Sequence, residues 1–208
     1  MTSSDATVFI VDDDPLILDA LKQLIKSVGL GAQTFSSAEE FLEQDLPETP
    51  SCLILDIRMP RLSGFDLQDE LAKRGLTIPI IFVTGHGSVP LSVRAMKGGA
   101  VDFIQKPFED QDLLDAIHHA IEKDRQTRME QAEIREIKRR VESLTPRENE
   151  VLVLTTAGML NKQIAYDLGM SENTVKTHRA RIMRKMKVTS LAELVRLTEK
   201  AGIHPDKE

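Results

Sequence analysis

The sequence predicts an α/β fold, a doubly wound five-stranded parallel sheet of order 2-1-3-4-5, followed by a long helix and a small all-α domain of four helices. Three observations predict it. Over the first 120 residues, short β-branched runs alternate with amphipathic helical stretches. From Glu109 to Thr145 there is neither Gly nor Pro. After Thr145 the hydrophobic period is helical throughout. Alternating strand–helix units call for a parallel sheet covered on both faces, and right-handed crossovers leave 2-1-3-4-5 as the commonest order for five strands.

Taken in order, Thr7 to Val11 is a short β-branched and aromatic run, a buried strand. From Pro15, the apolar positions Ile17, Ala20, Leu21, Leu24, Ile25 and Val28 follow helical spacing up to a stop at Gly29, with Asp14 as the cap. Further strands lie near Ala32–Phe35, Cys52–Leu55, Ile80–Val83 and Val101–Ile104, with helices near Ala38–Glu43, Phe65–Arg74 and Val89–Lys97 between them. The last helix of this set has no obvious end. Good helix formers dominate after residue 121 and apolar residues thin to Met129, Ile134, Ile137 and Val141, so the stretch reads as one long helix becoming a solvated spacer. A flexible charged linker is the alternative. At 1.5 Å rise, a helix from about Asp110 to Arg140 would be roughly 45 Å long and would hold two domains apart. Thr145-Pro146-Arg147-Glu148 is then a capping box, Gly158 ends its helix, Lys162 to Leu168 is a second helix, Ser171 to about Lys187 a third, and Ser190-Leu191-Ala192-Glu193 caps a fourth that ends near Gly202. The domains expected are 1–120, a helical linker 121–142, and 143–208.

Composition excludes several classes. The chain of 208 residues has 41% hydrophobic and 29% charged residues, ordinary globular usage, which excludes wholesale disorder. Apolar runs such as Ile78 to Val83 fall far short of the ~20 residues of a membrane span. Asp12, Asp13 and Asp14 directly behind Val8 to Val11 do not fit a signal peptide, and a single cysteine, Cys52, excludes a disulfide framework or a cysteine-based zinc finger. A cytoplasmic protein without membrane contact is expected. Residues 1–120 carry 9 Lys+Arg against 19 Asp+Glu, whereas 121–208 carry 18 against 14. Six of the basic residues fall within Ser171 to Lys187, alongside one acid. Such asymmetry points to two domains with different partners, the second a polyanion.

In a 2-1-3-4-5 sheet the ligand crevice lies beyond the carboxyl ends of strands 1 and 3. Asp12 and Asp13 end strand 1, Asp56 ends strand 3, Thr84 ends strand 4, and Lys106 follows strand 5. Clustered carboxylates repel one another, and a hard divalent cation such as Mg²⁺ removes that conflict. A carboxylate nucleophile, a metal, a hydroxyl and an ammonium together suit phosphoryl transfer. No G-x-x-x-x-G-K-[ST] nucleotide cradle exists, so the phosphate donor must come from outside. Singly, each residue has a plainer reading as a cap, a turn residue or a solvated cation; it is their joint placement that carries the functional one.

The set Val11-Asp12-Asp13-Asp14-Pro15, Leu55-Asp56-Ile57-Arg58-Met59-Pro60 with Gly64, Val83-Thr84-Gly85 and Phe103-Ile104-Gln105-Lys106-Pro107-Phe108 resembles the receiver domain of two-component response regulators over about residues 5–122. The resemblance implies that Asp56 accepts a phosphoryl group from a histidine kinase. It implies that Asp13, Asp56 and the backbone carbonyl of Arg58 hold Mg²⁺, with Asp12 helping through water. Thr84 and Phe103 match the family's switch pair, Lys106 its pocket lysine with a cis bond to Pro107, and Arg58 and His86 its variable rim.

In the third C-terminal helix, Val175, His178, Ile182 and Met186 share one face, Lys176, Thr177, Ala180 and Arg184 another, with Arg179 and Arg181 at its edges. A helix with an apolar back and a basic, small-residue front suits the DNA major groove, its cations on phosphates and its N-terminal Lys176 and Thr177 near base edges. The competing reading is a solvated basic surface. Leu144-Thr145-Pro146-Arg147-Glu148-Asn149-Glu150-Val151-Leu152, Asn161-Lys162-Gln163-Ile164-Ala165 and Thr174-Val175-Lys176-Thr177-His178-Arg179 resemble the LuxR-type helix-turn-helix over 143–203. That resemblance implies a scaffold helix at Lys162–Leu168, a recognition helix at Glu172–Lys187, base-facing Lys176, Thr177 and Ala180, and dimerisation through the last helix. Together the two resemblances indicate the NarL/FixJ subfamily, and Thr84-Gly85-His86-Gly87-Ser88-Val89-Pro90 leans toward FixJ-like aromatic-catabolism regulators.

The expectation is a transcription factor activated by phosphorylation rather than an enzyme with its own substrate. Its expected partners are a sensor histidine kinase, promoter DNA, RNA polymerase and a second copy of itself. A constitutive DNA binder whose receiver serves only for interaction is the alternative. An aspartyl phosphohydrolase fits less well, because those place their acid–base Asp two residues after the nucleophile.

Overall fold

The computed structural model describes residues 6–85 and 87–203, and the chain divides into two units, Met1–Arg128 and Met129–Glu208. In unit 1 the elements are β1 (Thr7–Val11), α1 (Pro15–Ser27), β2 (Gly31–Phe35), α2 (Ala38–Leu42), β3 (Ser51–Leu55), α3 (Gly64–Lys73), β4 (Ile80–Thr84), α4 (Val89–Lys97), β5 (Asp102–Gln105) and the first part of α5 (Asp110–Glu142). All pairings are parallel and the order is β2-β1-β3-β4-β5, the topology expected.

Every residue of β3 and β4 is buried, as continuous apolar strands between two helical layers must be. Period-two alternation divides the core. Phe9, Val11, Leu53, Leu55 and Phe82 face α2, α3 and α4, where Phe9, Phe35 and Phe41 make edge-on and tilted ring contacts. Val8, Ile10, Cys52, Ile54, Ile81 and Val83 face Leu21 and Ile25 of α1 and Leu113, Ile117 and Ile121 of α5. Burial, with the Asp124 carboxylate as a lesser cause, pushes the Cys52 thiol far above its usual range. Asp14 caps α1 by accepting the Leu16 N–H.

α5 is a single helix of 33 residues. Its residues from 121 onward are less solvated than their composition suggests. Asp124 is buried and accepts the Ser51 N–H at 2.8 Å and an Arg128 guanidinium N–H at 2.6 Å, while Arg128 also donates to the Pro47 carbonyl. Met129 is exposed, but Ile137 is 2% exposed and belongs to the core of unit 2.

Unit 2 adds α6 (Pro146–Thr156), α7 (Asn161–Asp167), α8 (Glu172–Met186) and α9 (Leu191–Lys200) to the second part of α5. The Thr145–Glu148 capping box forms in both directions, and Ser171 and Ser190 cap α8 and α9. Val151, Leu152, Ile164, Val175, Ile182, Met186 and Leu194 fill the core.

Candidate functional site

Asp12 follows the last residue of β1 and Asp56 the last residue of β3, the pair of strands at which the sheet order reverses. Lys106, one residue past β5, reaches both: its Nζ lies 2.8 Å from Asp12 Oδ2 and 3.5 Å from Asp56 Oδ1. Asp12 and Asp56 are only 4% and 8% exposed. Asp12 Oδ1 accepts the Asp14 N–H at 2.9 Å, and Asp56 Oδ2 accepts the Arg58 N–H at 2.6 Å. Burial holds the Asp56 carboxyl above its ordinary range; the Arg58 N–H and the Lys106 ammonium pull it down, and the charge of Asp12 pushes it up. Two buried carboxylates therefore share one ammonium.

The loop behind Asp56 is tight for a specific reason. A Cβ on Gly64 would sit 2.2 Å from the Asp56 carbonyl oxygen, so only glycine lets α3 start against the back of this residue. Thr84 is buried at the end of β4, and Phe103 lies opposite Phe82 in the sheet, half-buried against the same core. Asp13 and the Arg58 side chain are exposed, the Lys106–Pro107 peptide is cis, and His86 lies outside the described residues.

Among the described residues, no three His, Cys, Asp or Glu side chains are grouped as a metal cage. The pocket nonetheless fits Mg²⁺, which keeps several waters and takes one or two carboxylates rather than a closed protein cage. Asp12, Asp56 and the Arg58 carbonyl are hard oxygen donors, and the pocket is one positive charge short.

In unit 2, α8 presents Lys176, Thr177, Ala180, Arg181 and Arg184 to solvent, while Val175, Ile182 and Met186 are buried beneath it. The Thr177 hydroxyl donates a hydrogen bond to the Asn173 carbonyl at 2.9 Å. His178 is half-buried, with its Nδ1 unpartnered. Arg179 differs from its basic neighbours: it is half-buried and donates from Nη1 to Asn161 Oδ1 at 2.6 Å.

Residues 8–118 match the family described as response regulator receiver domain, and residues 142–198 match bacterial regulatory proteins of the luxR family. The chain belongs to the NarL/FixJ response regulators. This response regulator is 50% identical to Nodulation protein W of Bradyrhizobium diazoefficiens over 97% of its own length and 88% of that protein. It is 48% identical to the response regulator protein TmoT of Ectopseudomonas mendocina over 96% of its length and 91% of that chain. The solved structure of the response regulator StyR superposes with a TM-score of 0.83 at 47% identity, covering 94% of this chain and 99% of that one.

Several groups that organise this response regulator are absent from the sequence-based expectations. The Asp124–Arg128 pair clasps the start of β3, an i, i+4 spacing visible in the sequence but with an invisible third partner. Glu148, expected only as a cap residue, also receives Lys185 Nζ at 2.6 Å, and that ammonium donates to the Ser143 carbonyl as well. Arg140 donates to the Met186 carbonyl at the end of α8 and pairs with Glu136.

Proposed function

We propose that Asp56 is the phosphoacceptor of this response regulator and that its phosphorylation by a sensor histidine kinase in the cytoplasm drives binding of promoter DNA through α8. The observation that carries the reading is the contact of one ammonium, Lys106, with both Asp12 and Asp56. An Asp56 oxygen attacks the donor phosphorus, the donor's bond to phosphorus breaks, and an aspartyl phosphate results. Lys106 then holds a phosphoryl oxygen, freed from part of its duty to the carboxylates, and Thr84 and Phe103 answer as the switch pair. Mg²⁺ held by Asp12, Asp13, Asp56 and the Arg58 carbonyl would supply charge neutralisation at the phosphoryl oxygens. The chain accepts one phosphoryl group and has no separate substrate to turn over.

A second copy of the chain and RNA polymerase complete the set of partners. Exposed Val89, Val93 and Met96 form an apolar stripe at helical spacing on α4, which suits self-association. No described helix is long and apolar enough to cross a membrane. On α8, Lys176, Thr177 and Ala180 face bases, with Arg181 and Arg184 on phosphates.

The test is intact-mass spectrometry after incubation with acetyl phosphate and Mg²⁺. Wild type gains one phosphoryl group and Asp56→Asn gains none; equal labelling would overturn the assignment. Equal DNA affinity of phosphorylated wild type and Asp56→Asn would instead make the chain a constitutive binder.

A further inference from the structure

The six cations of the 171–187 segment are not equivalent. Lys176, Arg181 and Arg184 are exposed. Lys185 is bound to Glu148 and to the Ser143 carbonyl, and Lys187 lies 4.0 Å from Glu136. Arg179 is turned inward onto Asn161, the first residue of α7. The helical geometry explains this. At about 100° per residue, Arg179 stands only about 40° from the buried Val175, between the directions of Met186 and Met183. Arg184 stands about 180° from Val175, in the middle of the exposed arc. Arg179 thus leaves the helix on its core-facing side, where α8 meets α7.

The start of α7 makes the contact consequential. Its N-cap position is Leu160, which offers no side-chain oxygen to the free N–H groups there, so the entry of α7 is anchored from one side only, by Gln163 Oε1 accepting the Leu160 N–H at 2.8 Å. Asn161 and Arg179 join that entry to the middle of α8 by one short charge-assisted hydrogen bond across 18 residues of chain. The angle between scaffold and recognition helices determines which side chains reach a groove, so a bond at this point bears on DNA binding without touching DNA.

We propose that Arg179 is a positioning residue: it seats the recognition helix on α7 through Asn161, and the phosphate contacts come from its exposed neighbours. The proposal rests on the reading of α8 as the DNA-binding helix.

The two roles differ in their response to salt. A cation that neutralises a phosphate contributes about 0.9 to the slope of log affinity against log salt concentration, whereas a positioning residue contributes nothing. The full-length chain, treated with acetyl phosphate and Mg²⁺, is titrated over a range of salt with a duplex that wild type enriches from a random pool. Arg184→Ala flattens the slope by about 0.9. Arg179→Ala weakens binding about tenfold at unchanged slope, Asn161→Ala does the same, and the double variant is no weaker than the weaker single one, as for partners in one bond. Arg179→Gln, which keeps a donor for Asn161 and removes the charge, binds within about threefold of wild type. Circular dichroism of each variant checks that unit 2 is folded; should Arg179→Ala unfold, Arg179→Gln carries the test alone. Slope loss of about 0.9 in Arg179→Gln overturns the proposal and makes Arg179 a phosphate contact. If Lys176→Ala, Arg181→Ala and Arg184→Ala all leave affinity and slope unchanged, the DNA-binding reading of α8 fails and the proposal falls with it.

Discussion

The buried carboxylates at the strand ends of unit 1 and the buried carboxylate at the start of α6 in unit 2 are held in opposite ways. At the ends of β1 and β3, Asp12 and Asp56 divide a single ammonium between them, and burial holds Asp56 above its ordinary range. In unit 2 the buried Glu148 accepts both Lys185 and the Thr145 N–H, and these hydrogen bonds, Lys185 first, hold it below the usual carboxylate range. The first arrangement leaves two carboxylates with one ammonium between them, one positive charge short. The second is complete and fixes the position of α8 against α6. Burial of charge alone thus does not mark a functional site; a mismatch between charge and counter-charge does.

The largest effects come from the cores, and they test whether the two regions are energetically separate. Ile117 and Ile137 both lie on α5, one in the core of unit 1 and the other in that of unit 2. Ile117→Ala should destabilise unit 1 by about 2–4 kcal/mol and leave unit 2 unchanged, and Ile137→Ala the reverse. Backbone amide NMR signals of β3 and β4 on the one hand, and of α6 and α8 on the other, follow the two meltings separately. A loss spread equally over both signals for either variant would show one cooperative body and break the comparison.

An intermediate effect follows from the matched pair. Lys185→Met leaves Glu148 buried beside a lone N–H donor, and because Lys185 is itself one-third exposed the cost is about 1–2 kcal/mol to unit 2. Adding Glu148→Gln, which keeps an acceptor for the Thr145 N–H, should recover part of that loss. Urea titrations in which the double variant is less stable than Lys185→Met would show that Glu148 is held by something other than this charge pair.

The pocket of unit 1 was legible in the sequence because strand ends fall where hydrophobic runs stop, and the chemistry sits one residue later. Asp12, Asp56 and Lys106 follow from that rule and Thr84 closes β4 itself, and the predicted order of the sheet gathers their strand ends on one side. The helices of unit 2 were equally legible from Thr145, Ser171 and Ser190 at their starts. What stayed hidden were the ties between helices. Helical spacing sets Lys185 about 80° from Val175 and Arg184 about 180°, but nothing local shows that the partner of Lys185 is Glu148, thirty-seven residues away. The same spacing sets Arg179 about 40° from Val175, at the border between the apolar back and the basic front, and the sequence offers no sign that Asn161 waits there. Ile134, Ile137 and Val141 read as too sparse for a core, because the helices that cover Ile137 lie far along the chain.

The smallest effect concerns acid. A carboxyl held below its unfolded value contributes stability that is present above that value, about pH 4.3 for glutamate, and is lost as pH falls through the folded one. Glu148 has this sign, and so do the solvent-screened Glu136, held down first by Arg140, and Glu193, held down first by the Thr189 N–H. Asp56 has the opposite sign: raised in the folded state, its carboxyl disfavours unit 1 once ionised, so acidification relieves unit 1 there. As pH falls below about 4.3 the melting of unit 2 should therefore fall relative to that of unit 1, where the exposed Asp66, held down first by the Ser63 hydroxyl, offsets only a screened part of the difference. Glu148→Gln removes the largest buried contributor and should narrow this gap, while Glu193→Gln, exposed and screened, should narrow it less. The amide signals of the two units, recorded as a function of temperature across that pH range, decide the matter. Should the gap between the two meltings be independent of pH in wild type, or the same in Glu148→Gln, the matched charge of unit 2 would not be what separates its acid response from that of the pocket.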